Sequence, residues 1–98
     1  MYFITGFQKY EIDRFGWPDV GCSRTFGYYR DRDVAIRMVQ LNNLDIHEYL
    51  YNYAVVEYIP EGLYNIAEER VFFQWNEKTK AFEQIEEFID HCGNYAFG

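Results

Sequence analysis

Tyr53-Ala54-Val55-Val56-Glu57-Tyr58-Ile59 is apolar at nearly every position. A strand with one wet face alternates apolar and polar residues, so a near-continuous apolar run means that both faces are covered and that the strand sits centrally in a sheet. Pro60 ends it, because proline has no amide to give a ladder.

Beyond it, Arg70 to Trp75 and Lys80 to Ile85 flank Asn76-Glu77-Lys78-Thr79, a polar connection with the length and chemistry of a hairpin. Alternation places Val71, Phe73 and Trp75 on one face of that hairpin. Before the central strand, Tyr2 to Phe7 is mostly bulky, aromatic or β-branched and reads as a first strand. Arg24 to Tyr29 reads as a second, and Asp31 supplies an oxygen able to cap the amides of a following helix. Val34, Ala35, Met38 and Leu41 recur at helical spacing and define its apolar face, with Arg37 and Gln40 at the margin or beyond. The helix is expected to end around Asn42-Asn43, and Asp45-Ile46-His47-Glu48 then has capping-box spacing for another short turn. Gly16-Trp17-Pro18-Asp19-Val20-Gly21 breaks regular structure and displays a Trp on an ordered but adaptable loop. Tyr95-Ala96-Phe97 is a candidate final strand.

The order strand, strand, helix, strand, hairpin defines an α+β fold, a small antiparallel or mixed sheet of about five strands with one principal helix packed on a face. The chain has 98 residues and no internal repeat, low-complexity tract or linker, so residues 1–98 are expected to form a single compact domain. Ten Tyr and nine Phe exceed what so small a core accommodates. Rings are therefore expected at the surface or in an interface, which points to a homo-oligomer.

Charge is polarised along the chain. Residues 1 to 44 carry six Lys and Arg against five Asp and Glu, and residues 45 to 98 carry three against eleven, giving halves of +1 and −8. Such a field steers partners without specifying a fold. Cys22 and Cys92 show neither a paired spacing nor a Cys-x-x-Cys motif, so reduced thiols in the cytoplasm are expected. Met1 to Thr5 lacks the basic flank of a signal peptide, and no apolar run reaches transmembrane length.

Arg24-Thr25-Phe26-Gly27-Tyr28-Tyr29, Asn42-x-x-Asp45-Ile46-x-Glu48, Tyr51-Asn52-Tyr53-Ala54-Val55-Val56-Glu57, Pro60-Glu61-Gly62-Leu63-Tyr64 and the ending Asn94-Tyr95-Ala96-Phe97-Gly98 span nearly the whole chain. In these segments the chain resembles a group of small proteins of Firmicutes and their phages whose activity is uncharacterised. What the resemblance implies is a context: an accessory protein of a phage or mobile element, for which evading host immunity is a common task.

Catalytic motifs are absent: there is no glycine-rich phosphate loop, no Gly-x-Gly-x-x-Gly and no His-Glu-x-x-His. His91-Cys92 are sequence neighbours, but a Cys-His pair is made in space, and the packing reading is adopted. Asp45, His47 and Glu48 could hold a metal or act as acid and base, and the same spacing caps a helical turn, which is the reading adopted. No enzyme, cofactor or metal is expected.

Arg14, Trp17, Arg24, Tyr29 and Arg30 are the candidate ligand-binding residues. Arginine forks match phosphate oxygens and aromatic faces stack on bases, so Arg14, Arg24 and Arg30 are expected to contact phosphate while Trp17 and Tyr29 stack. The plainer reading pairs these arginines, with Arg32 and Arg37, to carboxylates of the acidic half. Glu83, Glu86, Glu87 and Asp90, continuing the run from Glu61, Glu68, Glu69 and Glu77, form the alternative site: an acidic surface that mimics nucleic acid and caps a basic groove on a host defence nuclease. That acidity argues against direct nucleic-acid binding, which needs a basic footprint. Tyr49, Tyr51, Tyr53 and Tyr58 are either a contact surface or partly buried core with hydroxyls at the rim.

Overall fold

The computed structural model describes residues 1–8, 11–12, 18–19, 23–49, 51–62, 67–86 and 96. Its main sheet is built from β1 (Tyr2–Phe7), β4 (Ser23–Tyr29), β5 (Tyr53–Tyr58), β6 (Glu69–Asn76) and β7 (Ala81–Ile85), in the order β4-β1-β5-β6-β7 with every neighbouring pair antiparallel. β2 (Glu11–Ile12) and β3 (Pro18–Asp19) form a separate two-stranded ladder. The apolar run is thus the central strand, as its pattern predicts, and the fold is α+β.

Both β4 and β5 run antiparallel to β1, so they run parallel to each other. A connection between parallel strands must cross a face of the sheet. Helix α1 (Arg32–Gln40) makes that crossing and packs on β1, β4 and β5, reaching β7. Ile4, Ala35, Val39, Ile46, Ala54, Val56, Val71, Phe73 and Phe82 form the core beneath it. On the other face Phe7, Tyr53, Val55 and Phe72 make a second cluster. Two covered faces explain why Ala54-Val55-Val56 never alternates with polar residues.

Asp31 is the N-cap, its Oδ1 accepting from the amides of Asp33 at 2.8 Å and Val34 at 3.3 Å. Asp31→Ala is expected to cost about 1 kcal/mol. In a domain of this size that lowers Tm by about 4–8 °C, read by a thermal melt. At the other end Asn42 takes φ 53°, while its amide donates to Val39 and that of Asn43 to Met38. This is a Schellman arrangement with asparagine in the left-handed position.

The buried helix face differs from the expected one. Ala35 and Val39 are fully buried and flanked by Ile36 and Met38, whereas Val34 is 38% exposed and Leu41 62% exposed. Apolar residues at 34, 35, 36, 38, 39 and 41 permit more than one stripe. Packing against the sheet selects the one centred about a third of a turn from Val34 and Leu41.

The capping-box expectation is also corrected. Asp45 adopts φ 56°, which is not an N-cap conformation. The turn is closed instead by Asn42, whose Oδ1 accepts from the His47 amide and whose Nδ2 donates to Glu48. In the hairpin, Asn76 Oδ1 accepts from the amides of Lys78 and Thr79, and Lys80 at φ 56° returns the chain into β7.

Candidate functional site: an arginine on an aromatic platform

The ladder between β1 and β4 shifts register between Ile4 and Thr5, opposite Phe26. Strict alternation would put Arg24, Phe26 and Tyr28 on one face and Tyr29 on the other. The bulge changes that: Arg24 pairs with Gly6 and Tyr29 with Tyr2, so Arg24, Phe26 and Tyr29 all belong to the helix-bearing face. Tyr28 goes to the opposite face, where its ring meets Phe3 at 5.5 Å.

At the Arg24 end, the guanidinium carbon lies 4.8 Å from the Tyr49 ring centroid and 5.4 Å from that of Phe26. Phe26 in turn contacts Tyr49 and Tyr51, each at 5.8 Å. Tyr49 is 55% exposed and Arg24 is exposed. A cation–π contact restrains the guanidinium while leaving its N–H fork free. Among the described residues Arg24 makes no ion pair. The platform is therefore a positive fork, already oriented, on a partly exposed aromatic floor.

The five ligand residues expected from the sequence divide between the two ends of β4. Tyr29 sits about 16 Å along the strand from Arg24, at 3.3 Å per residue, and packs on the core. Arg30 follows it and lines a cleft of about 660 Å³ with Phe3, Tyr58, Ile59, Pro60 and Glu61. Arg14 and Trp17 lie outside the described residues; the connection that carries them leaves β1 at Phe7 and rejoins β4 at Ser23, one residue from Arg24.

Of the arginines in the plainer reading Arg32 takes that role, and Arg70, outside that set, is paired as well. Arg32 Nε donates to Glu69 at 2.6 Å, and Arg70 Nε donates to the fully buried Glu57 at 3.0 Å. Of the acidic alternative, Glu83 and Glu86 are exposed, and Glu87 and Asp90 lie outside the described residues. Glu83 accepts from Asn76 Nδ2 at 2.9 Å and from Thr79 Oγ1 at 3.3 Å, so its carboxylate is already engaged in closing the hairpin.

The tyrosines divide as well: Tyr53 is buried against Phe7, Tyr58 stands half-buried on Tyr2, and Tyr49 and Tyr51 belong to the platform. His47 stacks on Trp75, with centroids 3.9 Å apart and planes 9° from parallel. Its Nε2 lies 3.7 Å from Glu77, whose carboxyl is held below its usual range chiefly by the Lys80 ammonium. The Trp75 indole N–H is buried and, among the described residues, reaches no hydrogen-bond geometry.

No family model, curated protein or solved structure matches the chain. Among the described residues no three His, Cys, Asp or Glu side chains gather to hold a metal, and no helix is long and apolar enough to cross a membrane.

Reasoning from sequence missed Phe26 and Tyr49 as partners of Arg24. Arg24 and Phe26 stand two apart on one strand, and that signal was readable. Tyr49 was not, because it arrives from a turn distant in sequence.

Proposed function

We propose that this is a non-enzymatic binding protein that sequesters an anionic, nucleotide-like signalling molecule, in the setting of a phage or mobile-element protein that blunts host immunity. The observation that carries this reading is the Arg24 guanidinium held over Tyr49 and Phe26 with no carboxylate neutralising it among the described residues. A phosphate meets the fork and a base or ribose meets the rings; the same two chemistries recur in proteins that hold nucleotides. Binding without turnover is the reading taken, since the contacts of Arg24 among the described residues are cation–π contacts with Tyr49 and Phe26. Homo-oligomerisation belongs to the same proposal, since exposed rings such as Tyr28 and Tyr49 are suited to an interface.

Native mass spectrometry of protein purified from its host's lysate, and again after denaturation and refolding, is the direct test. A non-covalent mass in the nucleotide range that disappears on refolding is expected. Arg24→Ala should weaken retention of that molecule about ten- to a hundredfold, the loss of a charge-assisted hydrogen-bond pair. Arg37→Ala, which removes an exposed helix arginine, should leave it unchanged. A clean protein with no small molecule, or equal binding by the Arg24 variant, overturns the reading. Affinity for a host protein that collapses with added salt would instead favour the acidic surface at Glu83 and Glu86.

A further inference from the structure

The geometry points to His47 as the positioning residue of the Arg24 platform: by stacking on Trp75 it fixes the 45–49 turn so that Tyr49 lies against the Arg24 guanidinium. The turn bridges the helix-bearing face. At one side His47 lies flat on Trp75 of β6, and at the other Tyr49 lies against Phe26 and Arg24 of β4. Those strands are fourth and first in the sheet, three strand spacings or about 14 Å apart. Only one residue separates His47 from Tyr49, so a shift at one side is transmitted to the other.

Backbone bonds from the Tyr49 amide to Asp45 and the Tyr51 amide to Ile46 close the turn, and three side-chain anchors hold it to the rest of the fold. Ile46 is fully buried, with its Cγ2 directly above Gly6. Asn42 clasps it through Glu48 and the His47 amide. The third is the His47–Trp75 stack, and it differs from the others in what it controls. Ile46 and Asn42 fix the depth and closure of the turn, Asn42 through Glu48, whereas the stack ties the His47 side of the turn to β6. The Tyr49 amide is tied into the turn, donating to Asp45 at 3.3 Å, while its side chain touches rings and the guanidinium and more than half of it faces solvent. The near-parallel imidazole, with Glu77 3.7 Å from its Nε2, is the side-chain contact that joins the turn to the β6 side of the sheet.

The inference rests on the binding reading only for its biological meaning, so its test needs no ligand. NMR of the Arg24 side chain reports the Tyr49 and Phe26 rings through ring-current shifts of the δ and ε protons. Tyr49→Ala defines the shift when the Tyr49 ring is absent. His47→Ala is expected to move the Arg24 resonances toward that value while the backbone amides of β1, β5 and β6 keep theirs. His47→Phe, which restores a flat ring on Trp75, is expected to return Arg24 to its wild-type position. If His47→Ala disturbs the whole spectrum, His47→Gln, similar in bulk but without a ring, takes its place with the same expectation. Wild-type Arg24 shifts in the ringless variant, or failure of Phe to restore them, overturns the assignment. Absence of any bound nucleotide in mass spectrometry would overturn the binding reading and leave this result standing.

Discussion

Glu57→Ala is expected to destabilise the protein by about 3–5 kcal/mol, the usual cost of breaking a buried ion pair by removing one partner. A domain has only about 5–15 kcal/mol of net stability, so this variant should be unfolded or close to it. Glu57 is fully buried in the central strand, and the Arg70 side chain opposite it is 15% exposed. One carboxylate oxygen accepts from Arg70 Nε at 3.0 Å and the other from the amide of Ala96 at 2.9 Å, a residue that is itself fully buried. Alanine would leave a largely buried guanidinium without this counter-charge and a buried amide without this acceptor. Glu57→Gln should be milder, because a neutral oxygen can still accept. Glu57→Leu with Arg70→Met should recover much of the loss, since well-packed apolar residues often replace a buried pair at little cost; the unmet Ala96 amide would remain, at about 1–3 kcal/mol. Urea unfolding of the three variants checks this order. A midpoint for Glu57→Ala equivalent to a surface change, within about 0.5 kcal/mol, would sink the account.

Glu57 also shows where sequence pattern stops being informative. The run from Tyr53 to Ile59 announces a doubly covered central strand because apolar residues on both faces have one physical cause. The charge inside that run has no local explanation: Arg70 and Ala96, which it binds, come from 13 and 39 residues away, Arg70 by the β5–β6 register. The same limit separates Arg24–Phe26, readable from alternation on one strand, from Arg24–Tyr49, which requires the crossover to bring the 45–49 turn back over β4. The helix was readable in its cap and length but not in its buried stripe, since six apolar positions permit several. Register breaks are equally silent. Nothing in Thr25-Phe26-Gly27 declares the bulge, yet it is what puts Tyr29 on the face of Arg24.

Gly6→Ala is expected to cost about 1–3 kcal/mol, the penalty for overpacking a filled site. Here the clash also lies directly beneath the platform. A Cβ on Gly6 would stand 2.8 Å from Ile46 Cγ2, 2.9 Å from Phe26 Cε2 and 3.2 Å from Tyr51 Cβ. None of these is the loose end of a flexible side chain: Ile46 is fully buried and β-branched, the Phe26 atom belongs to a rigid ring, and the Tyr51 atom adjoins backbone. Relief requires lifting the 45–49 turn or displacing Phe26, and either motion separates Tyr49 from Arg24. Gly27, on the neighbouring strand, is the matched control, because a Cβ there meets nothing within 4 Å. With no clash to offset it, the reduced freedom of the unfolded chain makes Gly27→Ala neutral or stabilising by about 0.4–1 kcal/mol. In paired urea melts only the Gly6 variant should therefore lose stability, and the Arg24 ring-current shift should fall only in the Gly6 variant. Equal behaviour of the two glycines would mean that Ile46 and Phe26 do not close over β1 as described, and the coupling of core to platform would fail with it.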